Sequence, residues 1–230
     1  FILHKPQLSE NIGLCARAMK NFGFNNLSVI DPKPIFPNDK IIATSVGAKD
    51  IIKKSKVFSN LEKSLTKTDI LIATSARFRN KNIKHISLHE LKKINFTKRV
   101  SFLFGSEASG LTNDEVSYAD YTLQIPSNNK FRSLNLSHSL VIVAQTVSYL
   151  ISINKADFQK SKKIQTATKM EISSMLNFCL SILENQNFFK QKAKKPIMIE
   201  NLRSIFYKME LSKKEIRILS SVFAGLTKKP

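Results

Sequence analysis

Two cysteines in 230 residues are too few for a disulfide framework, and Cys15 and Cys179 fall in separate helical apolar patterns with no metal-ligand spacing around them. The four histidines form no zinc motif; His85 and His89 stand at helical i, i+4 spacing with no Glu or Cys to complete a site, which reads as a solvated face. No metal is therefore expected. Long apolar runs are also missing. The most apolar stretch, Leu136 to Ile153, is interrupted by Ser137, His138, Ser139, Gln145, Thr146 and Ser148, and it predicts a buried core helix, not a membrane span. No secretory leader is legible. The chain opens on Phe1, not Met, which carries the expectation that residues precede it, and a cytoplasmic location is expected. The scarcest resource is acid: 17 Asp plus Glu against 37 Lys plus Arg give a formal charge of +20. An excess of that size points to a polyanionic partner, and without an amphipathic basic anchor for membranes, nucleic acid leads.

What is present is a globular composition, 42% hydrophobic and 9% aromatic. Short apolar runs at Phe1–His4, Leu27–Asp31, Lys56–Phe58, Asp69–Thr74, Val100–Phe104 and Tyr121–Ile125 read as strands buried on both faces. Helix-cap chemistry lies between them: Ser59 with Glu62 and Thr112 with Glu115 both fit a capping box. This alternation predicts an α/β fold, a parallel sheet flanked by helices. Beyond Ile153 the pattern changes. Residues 1–155 read as one domain, 156–168 as a polar linker, and 169–230 as a small all-α C-terminal domain with helices over about 169–190, 197–209 and 212–226. Ser212 with Glu215 caps the last of these and Gly225 ends it. After residue 155, 15 Lys plus Arg stand against 6 Asp plus Glu, so both parts are basic.

Three segments carry the chemistry: Asn11 to Arg17 (NIGLCAR), Leu103 to Leu111 (LFGSEASGL), and Ile125-Pro126-Ser127 with Ser133-Leu134-Asn135-Leu136-Ser137. Each joins a Gly- or Pro-marked turn to small polar side chains, which suits a bent nucleotide-like ligand read by backbone groups. Singly they are weak. Gly105 reads as a strand terminator, Pro126 as a strand stop, Arg17 as a surface arginine, and Asn11 and Asn135 as helix caps. In this order, with Asn21-Phe22-Gly23 continuing the first, they resemble the SpoU (TrmH-type) branch of the SPOUT superfamily of RNA 2'-O-ribose methyltransferases. Thr74-Ser75-Ala76-Arg77 and the basic helical extension with Glu215 to Leu219 resemble the members of that branch that modify tRNA cytidine or uridine at the first nucleotide of the anticodon loop.

The resemblance implies a trefoil knot after Ile125, S-adenosyl-L-methionine as methyl donor, tRNA as substrate, and a homodimer whose interface takes in the 136–153 helix and the adjoining loop of the third motif. It implies a cofactor site from Thr74, Ser75, Ala76, Gly105, Ile125, Ser133 and Leu134, with the backbone of Ile125 and Leu134 reading the adenine edge. It implies that Arg17 clamps the phosphate beside the target ribose and steadies the developing alkoxide, because a guanidinium is a poor base. Asn11 would orient Arg17 or the ribose, Glu107 would fix the motif loops or that arginine, and Ser133 and Asn135 would contact ribose or cofactor. Positioning alone can supply about 7–11 kcal/mol to such an in-line displacement. The stretches Arg77–Lys81, Lys160–Lys163 and Lys190–Lys195 are candidate phosphate contacts, and Phe78 a candidate base stacker. Ribosomal RNA as substrate, or RNA binding without catalysis, are the competing readings.

Overall fold

Because successive residues of a strand point to opposite faces, a strand apolar throughout must be covered on both sides. The computed structural model, which describes residues 1–76, 83–128, 130–154, 166–191 and 194–226, obeys this. Seven strands, β1 (Ile2–His4), β2 (Ser28–Ile30), β3 (Lys56–Phe58), β4 (Ile70–Thr74), β5 (Lys84–Ser87), β6 (Val100–Phe104) and β7 (Tyr121–Gln124), form one sheet in the order β3-β2-β1-β6-β4-β7-β5. Every pairing is parallel. The helices are α1 (Ser9–Asn21), α2 (Asp39–Thr44), α3 (Lys49–Lys54), α4 (Leu61–Ser64), α5 (Asn113–Ser117), α6 (Leu136–Asn154), α7 (Lys169–Asn185), α8 (Lys195–Lys208) and α9 (Lys213–Gly225).

Alternate strand residues sort into two hydrophobic layers. Leu3, Val29, Ile70, Ile72, Phe102 and Phe104 pack with Ile12, Cys15 and Met19 of α1, Ile51 and Ile52 of α3, and Leu140, Val143 and Val147 of α6. Their neighbours Ile2, Ile30, Leu71, Ala73 and Leu103 face the other way, onto Leu61 of α4, Val116 of α5, Ile172 and Leu176 of α7, and Tyr207 of α8. The expected parallel sheet with helices on both faces is therefore present. The C-terminal helices close its second face, sharing that core. A buried ion pair, Lys169 with Asp120, pins them there. Lys169 also donates through Nζ to Tyr207 O at 2.8 Å and through its backbone N to Thr68 O at 2.8 Å, while Asp120 Oδ2 accepts from Leu71 N at 2.7 Å.

Four local expectations change. The edge strand β3, expected to be buried on both faces, leaves Lys56 and Val57 exposed. The strand β5 has no counterpart among the predicted runs: it lies at the sheet edge with Ile86 its one fully buried residue, so it lacks a continuous apolar run. His85 sits on that strand, hydrogen-bonded to Thr122, and His89 in the short 3-10 turn that follows, so the two share no helix face. At α4 the cap is Asn60, whose side chain accepts from Lys63 N at 3.0 Å. Glu62 instead accepts from the Tyr118 hydroxyl (3.1 Å) and Ser173 Oγ (3.2 Å), tying α4 to α7. The capping boxes of α5 and α9 are formed as expected, and α7 has one from Thr168 and Glu171. Among the described residues no helix is long and apolar enough to cross a membrane, and no cluster of His, Cys, Asp or Glu could hold a metal.

Candidate active site

In a parallel sheet the loops leaving the C-terminal ends of adjacent strands gather at one edge, the usual place for a ligand. Here β6, β4 and β7 are neighbours, and their exits frame a cleft of about 570 Å³. One wall is Thr74-Ser75-Ala76 after β4, another the loop from Gly105 to Leu111 after β6. Ile125 and the segment Arg132-Ser133-Leu134 complete it. The volume suits a small cofactor.

Local hydrogen bonds hold these walls still. Thr74 Oγ1 donates to Leu103 O (3.0 Å) and Ser75 N to Leu123 O (3.0 Å), locking the end of β4 between its neighbours. The loop after β6 folds back on itself: Gly110 N donates to Ser106 O at 2.9 Å, and the Ser106 and Ser109 hydroxyls are 2.8 Å apart. A Cβ on Gly105 would stand 2.3 Å from Gly110 C and 2.5 Å from Leu111 N, so that fold-back requires glycine. Gly110 itself has φ +68°, a left-handed turn.

Behind the cleft the three motif segments are joined. The Glu107 carboxylate accepts from Gln7 N (2.8 Å), Leu8 N (3.2 Å) and Asn11 Nδ2 (2.8 Å). Asn11 Oδ1 in turn accepts from Asn135 Nδ2 (3.0 Å), and Asn135 Oδ1 accepts from Ser137 N and Oγ (2.8 and 2.7 Å) at the start of α6. Leu8, at the N-cap of α1, has no side chain that can cap; the Glu107 carboxylate instead takes the Gln7 and Leu8 N–H groups just before the helix, where the helix dipole favours negative charge. Cys15, one turn beyond Asn11, is no nucleophile: burial, reinforced by the Glu107 charge, pushes its thiol far above the ordinary range.

The cleft thus brings together Thr74, Ser75, Ala76, Gly105, Glu107, Ile125, Ser133 and Leu134. Asn11 and Asn135 form the hydrogen-bonded chain that supports it. Arg17 does not line it; it is exposed on α1, and its side chain makes no ion pair or hydrogen bond among the described residues. The first motif is also no turn. Asn11 to Arg17 lie inside α1, and Gly13 serves helix packing: a Cβ there would stand 2.0 Å from Thr44 Oγ1 and 2.5 Å from Ile41 O of α2. Sequence reasoning missed Ser106, Ser109 and Arg132 as lining residues, although Ser106 and Ser109 lie within the quoted second motif and Arg132 directly before Ser133. Arg77–Lys81 with Phe78, and Lys160–Lys163, lie outside the described residues, as do positions 192 and 193 of the 190–195 stretch. Within that last stretch Lys195 pairs with Glu184 at 2.6 Å.

Residues 1–145 match the model of the SpoU rRNA Methylase family. A tRNA (cytidine/uridine-2'-O-)-methyltransferase TrmJ of Sodalis glossinidius is 32% identical over 239 residues, covering 100% of this chain and 92% of the relative. A tRNA (cytidine-2'-O-)-methyltransferase TrmJ of Methanocaldococcus jannaschii is 30% identical, over 70% of this chain and 75% of its own. Among solved structures, the crystal structure of TrmJ from Z. mobilis ZM4 superposes with a TM-score of 0.88 at 28% identity, covering 99% of this chain and 98% of that one.

Proposed function

Because the chain belongs to the SpoU rRNA methylase family and is an RNA methyltransferase, we propose that it transfers a methyl group from S-adenosyl-L-methionine to the 2'-hydroxyl of a tRNA cytidine or uridine, at the first nucleotide of the anticodon loop. The observation that carries this reading is the hydrogen-bonded chain Glu107–Asn11–Asn135, which fastens three segments remote in sequence behind a single cleft. The cytidine and uridine substrate rests on the TrmJ relatives that span the chain.

The donor set suits this cofactor. A cleft of about 570 Å³ lined by backbone ends, serine hydroxyls, Ile125 and Leu134 offers both an apolar slot for a purine and polar edges for its ribose and amino-acid tail. Bound there, the cofactor supplies an electrophilic methyl group. The chain's own residues do the rest. Gly105 and the folded-back loop form a rigid floor, Ile125 and Leu134 hold the base, and Glu107 keeps the loops in register. The reaction needs the acceptor oxygen brought in line with the methyl carbon, so rigidity is the main catalytic contribution.

Arg17 clamps the phosphate beside the acceptor ribose and steadies the developing alkoxide. Within one protomer it faces solvent, which fits a homodimer in which a second copy carries it to the acceptor. Leu14 on the same helix and Val141 and Tyr149 on α6 are exposed apolar groups that such a partner would cover. The same reading includes a knotted chain path after Ile125 and a cytoplasmic location.

The test is a map of 2'-O-methyl groups on cellular tRNA and ribosomal RNA with and without the protein, alongside Arg17→Ala. Arg17→Ala is expected to abolish methylation while S-adenosylmethionine still binds by isothermal titration. Undiminished methylation by Arg17→Ala would refute its role, and a change confined to ribosomal RNA would refute the tRNA assignment.

A further inference from the structure

Beside the third cleft segment in the sequence, the chain holds an aromatic ring out in water. Phe131 is 75% exposed, immediately before Arg132, which lines the cleft. Its exposure is built, not incidental. Phe131 N donates to Asn128 O at 2.9 Å, Lys130 N donates to the Asn128 side-chain oxygen at 2.9 Å, and Ser127 Oγ donates to Arg132 O at 3.2 Å. An Asn-centred turn of this kind fixes the backbone on either side of the ring. Phe131's immediate chain neighbours, Lys130 and Arg132, are cationic and exposed, and the neutral Asn128 and Ser133 are exposed as well. A ring set between two cations along the chain matches the surface of single-stranded nucleic acid, where bases stack on aromatics and phosphates meet Lys and Arg.

We propose that Phe131 is the stacking platform for the base of the acceptor nucleotide, with Lys130 and Arg132 meeting the phosphates on either side. This rests on the methyltransferase reading above and extends it. The cleft receives the cofactor, and the ring beside it fixes the base, so the attached ribose is presented with its 2'-hydroxyl toward the methyl group. A π-face is shared by cytosine and uracil, so a platform of this kind accepts both pyrimidines and reads neither edge.

The experiment compares the unmutated chain with Phe131→Ala and Phe131→Trp on unmodified tRNA transcripts, measuring KM and kcat, with S-adenosylmethionine affinity by titration and dimer mass by light scattering as controls. Loss of one stacked base is expected to raise KM for tRNA by about 5- to 150-fold in Phe131→Ala. Cofactor affinity and dimer mass stay unchanged, and Phe131→Trp restores KM. A transcript carrying 2-aminopurine at the target position should lose fluorescence on binding to the unmutated chain and much less on binding to Phe131→Ala. Equal KM and equal quenching in the two proteins would overturn the platform alone. A monomeric Phe131→Ala would overturn it by assigning the ring to a protein interface. Absence of methylation by the unmutated chain on any RNA would remove the underlying reading as well.

Discussion

Asn11 is the residue on which the joining of the three motifs turns, and changing it to Asp separates its hydrogen-bonding role from its shape. The side chain is buried, 3% exposed, and it both gives a hydrogen bond to the Glu107 carboxylate at 2.8 Å and takes one from Asn135 at 3.0 Å. A bond to a charged group contributes about 1.5–3 kcal/mol net and a neutral one about 0.5–1.5 kcal/mol. Asn11→Ala is therefore expected to cost about 2–4.5 kcal/mol. At about 2–4 °C per kcal/mol for a chain of this size, that lowers Tm by roughly 4–18 °C. Asn11→Asp keeps the volume but turns the donor facing Glu107 into a second carboxylate. At pH 7.5 it should be less stable than Asn11→Ala, because two like charges at hydrogen-bond distance repel.

Acid should reverse that order. One carboxyl of the new pair has a raised folded-state pKa, so the folded form holds a proton that the unfolded chain releases. Stability from such a group is present at low pH and lost as pH rises through the folded pKa. Relative to the unmutated chain, Asn11→Asp should regain stability between pH 7.5 and pH 5, while Asn11→Ala stays level. Thermal unfolding by circular dichroism at stepped pH reads this directly. An Asn11→Asp protein as stable as the unmutated chain at every pH would refute the hydrogen-bonded chain as described.

Three further outcomes are expected. Gly105→Ala places a Cβ 2.3 Å from Gly110 C, a backbone contact that cannot yield cheaply; the loop must move, and S-adenosylmethionine affinity measured by titration should fall while the helical circular dichroism signal persists. Lys169→Met leaves the Asp120 carboxyl without its counter-ion in the interior and should cost about 3–5 kcal/mol in denaturant unfolding, whereas Lys169→Met with Asp120→Leu should recover most of it. His4 is buried, with its Nδ1 3.3 Å from Glu115 Oε1, and burial lowers its pKa below the ordinary value of 6.5. The folded state then binds fewer protons than the unfolded chain below that value, so stability from neutral His4 is present above about pH 6.5 and lost as pH falls toward the folded pKa. In urea titrations between pH 7.5 and 5, the unmutated chain should lose more stability toward acid than His4→Gln, and an equal pH dependence in the two would refute the His4 contribution.

The strands β1, β4 and β6 were legible because burial on both faces demands uninterrupted apolar residues, and Ile70 to Ala73 leave no other reading. The edge strand β5 was illegible for the converse reason. The cleft was legible in outline, since Gly105, Ile125 and Leu134 all line it. The partnerships behind it were not. Nothing local to Asn11 says that its amide spans Glu107 and Asn135, because those neighbours come from strand order. An Asn-x-Gly sequence reads as a turn, yet Gly13 is helical because α2 crosses where its Cβ would be. Lys169, first residue of a helix and flanked by polar sequence, reads as exposed, but the C-terminal helices lie on the sheet and carry it inside.

The span of the Glu107–Asn11–Asn135 chain has a bearing on biosynthesis. Asn11 waits 96 positions for its first partner and 124 for its second. A nascent polypeptide that has just emerged through β7 owns all seven strands yet no fastened cleft, since Asn135 is still to come. Such widely separated contacts carry a large loop-closure cost and form late. Competence to seize a methyl donor therefore arrives in one step once the third motif has been made, and fragments truncated before that motif should compete for neither cofactor nor RNA ribose.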